Sequence, residues 1–239
     1  MRTILLGLLA FLFFGSAMLK HKPRILVFSK TRGYRHASIE AGKPAIVALG
    51  EKNGFDVDTT EDAAVFTDKN LKKYDAIVFL STTGNDLLDS TGELAFKRFI
   101  ESGKGFVGIH AATDCFYTWP WYGQLVGAYF LKHPKQQQAT LHIVDSTDIS
   151  TRNLPTTWSR FDEWYNFKNI QPDLHVLITI DETSYEGGVN GANHPMAWRH
   201  TYDGGRAFYT ELGHTDASYS DPLYLGHLLG GIRYAIGGR

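Results

Sequence analysis

Apolar runs and helical periodicities alternate along the first half of the chain. Arg24–Ser29 carries four consecutive apolar residues, Ile25 to Phe28, as a buried strand does. Lys30–Ala37 is polar, contains Gly33, and reads as a loop. Ser38–Asn53 places Ile39, Ile46, Val47 and Leu49 at roughly helical spacing and stops at Asn53-Gly54, with Pro44 near its start. Phe55–Asp58 alternates like an edge strand, and Thr67–Lys73 has room for one or two helical turns. Asp75–Leu80 is a second apolar strand run. Ser90-Thr91-Gly92-Glu93 has capping-box spacing ahead of Leu94, Phe96, Phe99 and Ile100. Gly103 suits the end of that helix, and Gly105–Ile109 follows as another strand. Such strand–helix alternation predicts an α/β fold with a mostly parallel central sheet between helical layers.

The second half is less regular. Ala139–Val144 and Val176–Ile180 read as strands, and Thr151–Lys168 as loop. Ala197–Tyr202 and Arg206–Thr210 read as a hairpin around Asp203-Gly204-Gly205. Pro222–Ile236 reads as a closing helix. No repeat, low-complexity segment or linker divides the chain.

The N-terminus departs from this pattern. Met1-Arg2 is basic, Ile4–Phe14 is apolar, and Gly15-Ser16-Ala17 supplies small residues before Lys20. This layout predicts a signal peptide over residues 1–20, with the folded domain over 21–239 and a periplasmic or secreted protein. The apolar run is shorter than the ~20 residues that span a bilayer, so no stable membrane association is expected after cleavage. The 239 residues suit one α/β domain. A net charge of −1 with mixed signs lacks the basic stripe of a nucleic-acid binder. The single cysteine, Cys115, rules out an intramolecular disulfide.

Ligands of open α/β sheets bind beyond the carboxyl ends of the strands. That rule singles out the loops after Ser29, Leu80 and Ile109. Gly108-Ile109-His110-Ala111-Ala112 has the form of a nucleophile elbow, a strained strand-to-helix turn flanked by small residues that lifts one side chain above the sheet. The lifted residue is His110, suited to proton transfer or metal ligation; the alternative is a buried histidine satisfied by a carbonyl. Asp114 lies four residues on. His36, Glu163, His194 and His214 each adjoin a strand end or a Gly/Pro turn. Together they suit an acid/base pair or a divalent-metal site, and their spacing does not choose between the two. Cys115 falls five residues past the elbow, too far along to be its nucleophile.

Gly33-Tyr34-Arg35-His36-Ala37-Ser38, Gly108–Ala112, Asp114 with Trp119-Pro120-Trp121-Tyr122, Asp162-Glu163-Trp164-Tyr165, His194-Pro195-Met196-Ala197-Trp198 and Leu212-Gly213-His214 occur in this order. In these motifs the chain resembles the ThuA-like (trehalose-utilisation) family from about Arg24 to Arg239. The resemblance implies a flavodoxin-like, class I glutamine amidotransferase-like three-layer fold, with His110 at the position of the glutaminase cysteine. It also implies carbohydrate metabolism, in particular disaccharides and their 3-keto derivatives.

The resulting expectation is a sugar-modifying enzyme with His110 and Glu163 in acid/base roles. His36, Asp114, Trp119, Tyr165, His194 and His214 would bind substrate. No Gly-x-Gly-x-x-Gly opens a helix after a strand, so any redox step needs a partner sugar dehydrogenase. The competing readings are a carbohydrate-binding protein without turnover and a glutaminase, the latter disfavoured by the missing elbow cysteine.

Overall fold

A computed structural model describes residues 22–238. The signal peptide expected over residues 1–20 lies outside the described residues. Strand β1 (Arg24–Phe28) leads to helix α1 (Ile39–Asn53), β2 (Asp56–Thr60), the short α2 (Asp68–Leu71), β3 (Ala76–Leu80), α3 (Ser90–Glu101) and β4 (Gly105–Ile109). Then come α4 (Pro120–Val126), β5 (Tyr129–Lys132), β6 (Gln137–Ile143), β7 (Thr157–Asp162), β8 (Asn166–Lys168), β9 (His175–Ile180), β10 (Pro195–Tyr202), β11 (Gly205–Thr210) and α5 (Pro222–Ala235).

The main sheet has nine strands in the order β2-β1-β3-β4-β11-β10-β9-β6-β7, and β5 pairs with β8 separately. The sheet is mixed with a parallel core. From β2 to β11 every neighbouring pair is parallel; from β11 to β7 every pair is antiparallel. Two reversals from β11 bring β9, and four bring β7, back to the direction of the core. The chain after β7 therefore emerges at the same sheet edge as the chain after β1, β4 and β11.

Every residue of β3 and β4 is buried, as helices on both faces demand. Phe28, Phe66, Phe79, Phe96 and Phe106 form a chain of ring contacts at 4.7–6.2 Å across this core. Each such ring contributes roughly 1.5–3 kcal/mol by leaving water. A Cβ at Gly105 would lie 2.2 Å from the Ala235 carbonyl oxygen, so only glycine lets α5 seat this close to β4. The predicted hairpin joins β10 to β11, with Asp203 (φ 49°) and Gly204 (φ 88°) in the paired left-handed conformation of a type I′ turn.

Two expectations need correction. Thr151–Lys168 is not loop throughout, because it holds β7 and β8. The cap of α3 is Asp89, whose carboxylate accepts from the Gly92 amide at 2.7 Å, and Ser90 is the first helical residue. Among the described residues no helix is long and apolar enough to cross a membrane.

Candidate active site

Ile109 closes β4 and His110 turns out of it with φ 49°, a left-handed backbone that a residue with a Cβ rarely adopts. The elbow is present, and it opens a four-residue 3-10 turn rather than an α-helix. Two bonds hold it. The Tyr209 hydroxyl donates to the His110 carbonyl at 2.7 Å, and His110 Nδ1 lies 2.7 Å from the Glu211 carbonyl. A carbonyl only accepts, so Nδ1 carries the proton and Nε2 presents a lone pair in the neutral ring.

Nε2 points to a cluster. It lies 3.0 Å from His214 Nδ1 and 3.5 Å from Glu163 Oε2. His214 Nδ1 is 3.0 Å from the same Glu163 oxygen. His36 packs its ring edge-on against His110 and His214, with centroids 4.8 and 5.1 Å away. The ligating atoms of His36, His110, Glu163 and His214 all lie within 4.8 Å of one another. The loops after β1, β4, β7 and β11 supply one residue each.

The surrounding chain fixes these loops. Gly213 has φ 114°, and a Cβ there would stand 2.5 Å from the Tyr224 hydroxyl. Its carbonyl accepts from Ser38 Oγ at 3.1 Å, which ties the start of α1 to the His214 loop. Its amide donates to Asp162 Oδ2 at 3.3 Å, and Asp162 is paired with the buried Arg160 at 2.9 Å. The loop after β3 contributes support rather than chemistry: Thr83 Oγ1 donates to the Tyr34 carbonyl at 2.7 Å.

His36, Glu163 and His214 form the floor of a cleft of about 280 Å³ also lined by Tyr34, Phe130, His133, Gln136, Tyr165 and Asp114, and His110 is wholly buried against them. The Tyr165 ring lies 4.4 Å from that of His110 and 4.3 Å from that of Phe130. The Tyr117 hydroxyl donates to Asp114 Oδ1 at 2.6 Å.

Burial sets the charges. It pushes His36 down to about 3, helped by the charges of His110 and His214. Burial would raise the Glu163 carboxyl, but the His110 and His214 imidazoles beside it outweigh that and hold the group well below the usual carboxylate range. Asp114 is raised by burial despite the Tyr117 hydrogen bond. Glu211, fully buried behind His110, is raised well above the ordinary range by burial and then by the charge of Asp162.

Of the expected site residues, His36, Asp114, Glu163, Tyr165 and His214 thus line one cleft, and His110 lies buried against its floor. The other two lie elsewhere. His194 starts from the same sheet edge but is fully buried behind Tyr165, with Nδ1 2.8 Å from Glu182 Oε1 and Nε2 2.8 Å from the Tyr165 carbonyl. Neither nitrogen remains for a substrate. Trp119 stacks on Trp121 at 4.9 Å and borders a separate groove beside Lys30 and Arg32. Three residues were not foreseen: His133, whose Nδ1 is 3.2 Å from Glu163 Oε1; Gln136, whose amide nitrogen is 2.7 Å from His214 Nε2; and Glu211. Only Glu211 left a trace in the sequence, as an acid directly continuing an apolar strand.

The parallel core, the strand order and the elbow define an α/β domain of the class I glutamine amidotransferase-like type, with histidine at the elbow. A putative GMP synthase component from Thermoplasma acidophilum shares this fold at 12% identity, covering 90% of this chain and 97% of that one, with a TM-score of 0.52. Within that class the match is closer. The model of the ThuA family, described as trehalose utilisation, matches residues 24–235, and the chain belongs to this family. A putative ThuA-like protein from Bacteroides uniformis superposes with a TM-score of 0.76 at 24% identity, over 90% of this chain and 91% of that one. Another from Parabacteroides merdae superposes at 0.73 with 20% identity, over 91% of each. No curated protein matches the sequence.

Proposed function

We propose that the protein is a carbohydrate-modifying enzyme that acts on a disaccharide or glycoside, in its 3-keto form, by proton transfer in this cleft. The carrying observation is the Glu163 carboxylate, which lines the cleft and is shared between the buried His110 and His214 at 3.5 and 3.0 Å. The cleft is at the small end of ligand pockets and suits a single sugar ring, with Tyr34, Phe130 and Tyr165 for its faces. Family membership supports the substrate class.

A C3 carbonyl acidifies the neighbouring C2–H. Glu163, held ionised by its imidazoles, accepts that proton; the electron pair forms a C1–C2 double bond, and the C1–O bond breaks. The departing oxygen takes a proton from the imidazole side of the cluster. A sugar dehydrogenase is the partner this chemistry calls for, since the carbonyl must be made first. Glutaminase chemistry is not proposed: Cys115, the one thiol, is wholly buried and pushed up to about 12 by burial.

The test is a panel of glycosides and 3-keto-glycosides followed by mass spectrometry. Turnover of keto-glycosides is expected, with His110→Ala and Glu163→Gln each lowering it by ~100- to 10,000-fold, the usual worth of a positioned acid or base. Wild-type rates in His110→Ala would reject the assignment. Sugar binding without turnover would leave a carbohydrate-binding protein.

A further inference from the structure

The cluster has more acceptors than protons. His110 Nδ1–H is committed to the Glu211 carbonyl, so Nε2 offers a lone pair. Glu163 Oε2 only accepts. His214 Nδ1 can carry one proton, which would have to serve both. His36 is buried beside them, and its Nδ1 has no hydrogen-bond partner. Three ligating atoms around one proton, with a fourth nitrogen close by, is an arrangement a cation satisfies better.

The distances agree. An ion bound at ~2.0–2.2 Å by nitrogen and carboxylate oxygen in tetrahedral geometry sets its ligand atoms roughly 3.3 Å apart. His110 Nε2, His214 Nδ1 and Glu163 Oε2 form a triangle with edges of 3.0, 3.0 and 3.5 Å. We propose that these three atoms, with His36 completing the set, bind one first-row divalent transition-metal ion. Imidazole-rich donors suit zinc, iron, cobalt or nickel, whereas magnesium and calcium take oxygen.

The outer partners are those of a metal site. A metal-bound histidine donates its far nitrogen to a carbonyl or carboxylate, which fixes the ring, and His110 already does so. His133 lies 3.2 Å from the second Glu163 oxygen, leaving Oε2 for the ion. His214, bound through Nδ1, must donate from Nε2. Gln136 stands 2.7 Å from that atom, and its amide turned over presents an oxygen there.

The binding of the ion stands on this geometry alone. Its role rests on the function proposed above: the ion would draw electron density from the C3 carbonyl of the keto-sugar and so acidify C2–H. His110 is then a ligand, and Glu163, a ligand through Oε2, keeps its second oxygen beside His133 for the proton.

The experiment is chelation of the purified protein, followed by calorimetric titration with zinc and manganese ions and elemental analysis after gel filtration. One ion per chain is expected. His110→Ala, His214→Ala and Glu163→Gln should each weaken binding by at least ~10- to 100-fold, the loss that even outer partners cause. His175→Ala, at an exposed histidine paired with Asp145, serves as the control and should bind as wild type does. Melting curves of the chelated variants show whether each folds. No stoichiometric ion on the wild type, or equal binding by folded His214→Ala, overturns the proposal. Metal binding without turnover of any glycoside leaves the metal site standing and removes the sugar reading. Undiminished turnover by ion-free protein removes the ion's part in the reaction and keeps the sugar reading.

Discussion

His110 holds its place against backbone strain. A left-handed conformation costs a β-carbon residue roughly 1–2 kcal/mol, and the Tyr209 hydroxyl and Glu211 carbonyl offset it. The result is an imidazole with one nitrogen anchored and the other aimed at Glu163. Cys115, five positions on, shows the opposite outcome. Its sulfur lies 3.3 Å from Thr82 Oγ1 and 3.4 Å from the Ala112 carbonyl, inside the core. With the thiol pushed up to about 12, almost no thiolate forms at neutral pH, and thiolate is the reactive species. Cys115→Ser should therefore leave kcat/KM unchanged, and iodoacetamide should label the native protein only after denaturation. Inactivation of the native enzyme by stoichiometric alkylation would contradict this.

The start of α3 separates local pattern from local structure. Ser90 to Glu93 reads as a capping box, yet the residue before it caps the helix. Asp89 has extended backbone (φ −81°, ψ 172°), which directs its carboxylate onto the Gly92 amide. An aspartate there also complements the helix dipole. Asp89→Ala should cost about 1 kcal/mol of stability, and Ser90→Ala clearly less. Urea unfolding of the two variants decides the matter, since the reverse order would restore Ser90 as the cap. Strand β7 was hidden for a related reason. Its buried face is Trp158, Arg160 and Asp162 while Phe161 points outward, so its alternation in the sequence does not read as apolar in and polar out. The Arg160–Asp162 pair belongs to the support of the Gly213 loop, and that support is why polar residues occupy an inward face.

At the scale of the whole molecule, burial of neutral histidines makes stability pH-dependent. His227 is enclosed in α5 between the Ser150 carbonyl at 3.0 Å and Thr210 Oγ1 at 3.1 Å. Burial lowers it from 6.5 to about 4. His200 is lowered by burial as well. Between pH 6.5 and 4 the unfolded chain therefore binds more protons than the folded one, so stability falls as pH falls through that window. The melting temperature should drop from pH 7 to pH 4.5, and His227→Gln should flatten part of the drop. An unchanged slope in that variant would assign the acid sensitivity to other groups.

The alternation of apolar strands with amphipathic helices was legible because burial on both faces demands continuous apolar runs, a local property. The elbow at His110 was legible too, since small residues must flank a backbone that turns so sharply. The order of six short motifs carried the family. None of these local signals says which strand ends become neighbours. His36, His110, Glu163 and His214 span 179 positions of chain and meet because β1, β4, β7 and β11 point to one edge, the β7 direction depending on four successive reversals. His194 and Trp119 carry equally suggestive motifs and yet turn elsewhere, one onto the Tyr165 carbonyl and the other onto Trp121. Side-chain direction is set by packing against residues distant in sequence, so only the tertiary structure decided that a proton-poor triangle of two imidazoles and a carboxylate forms at the base of the cleft, with Glu163 and His214 lining it and His110 buried against them.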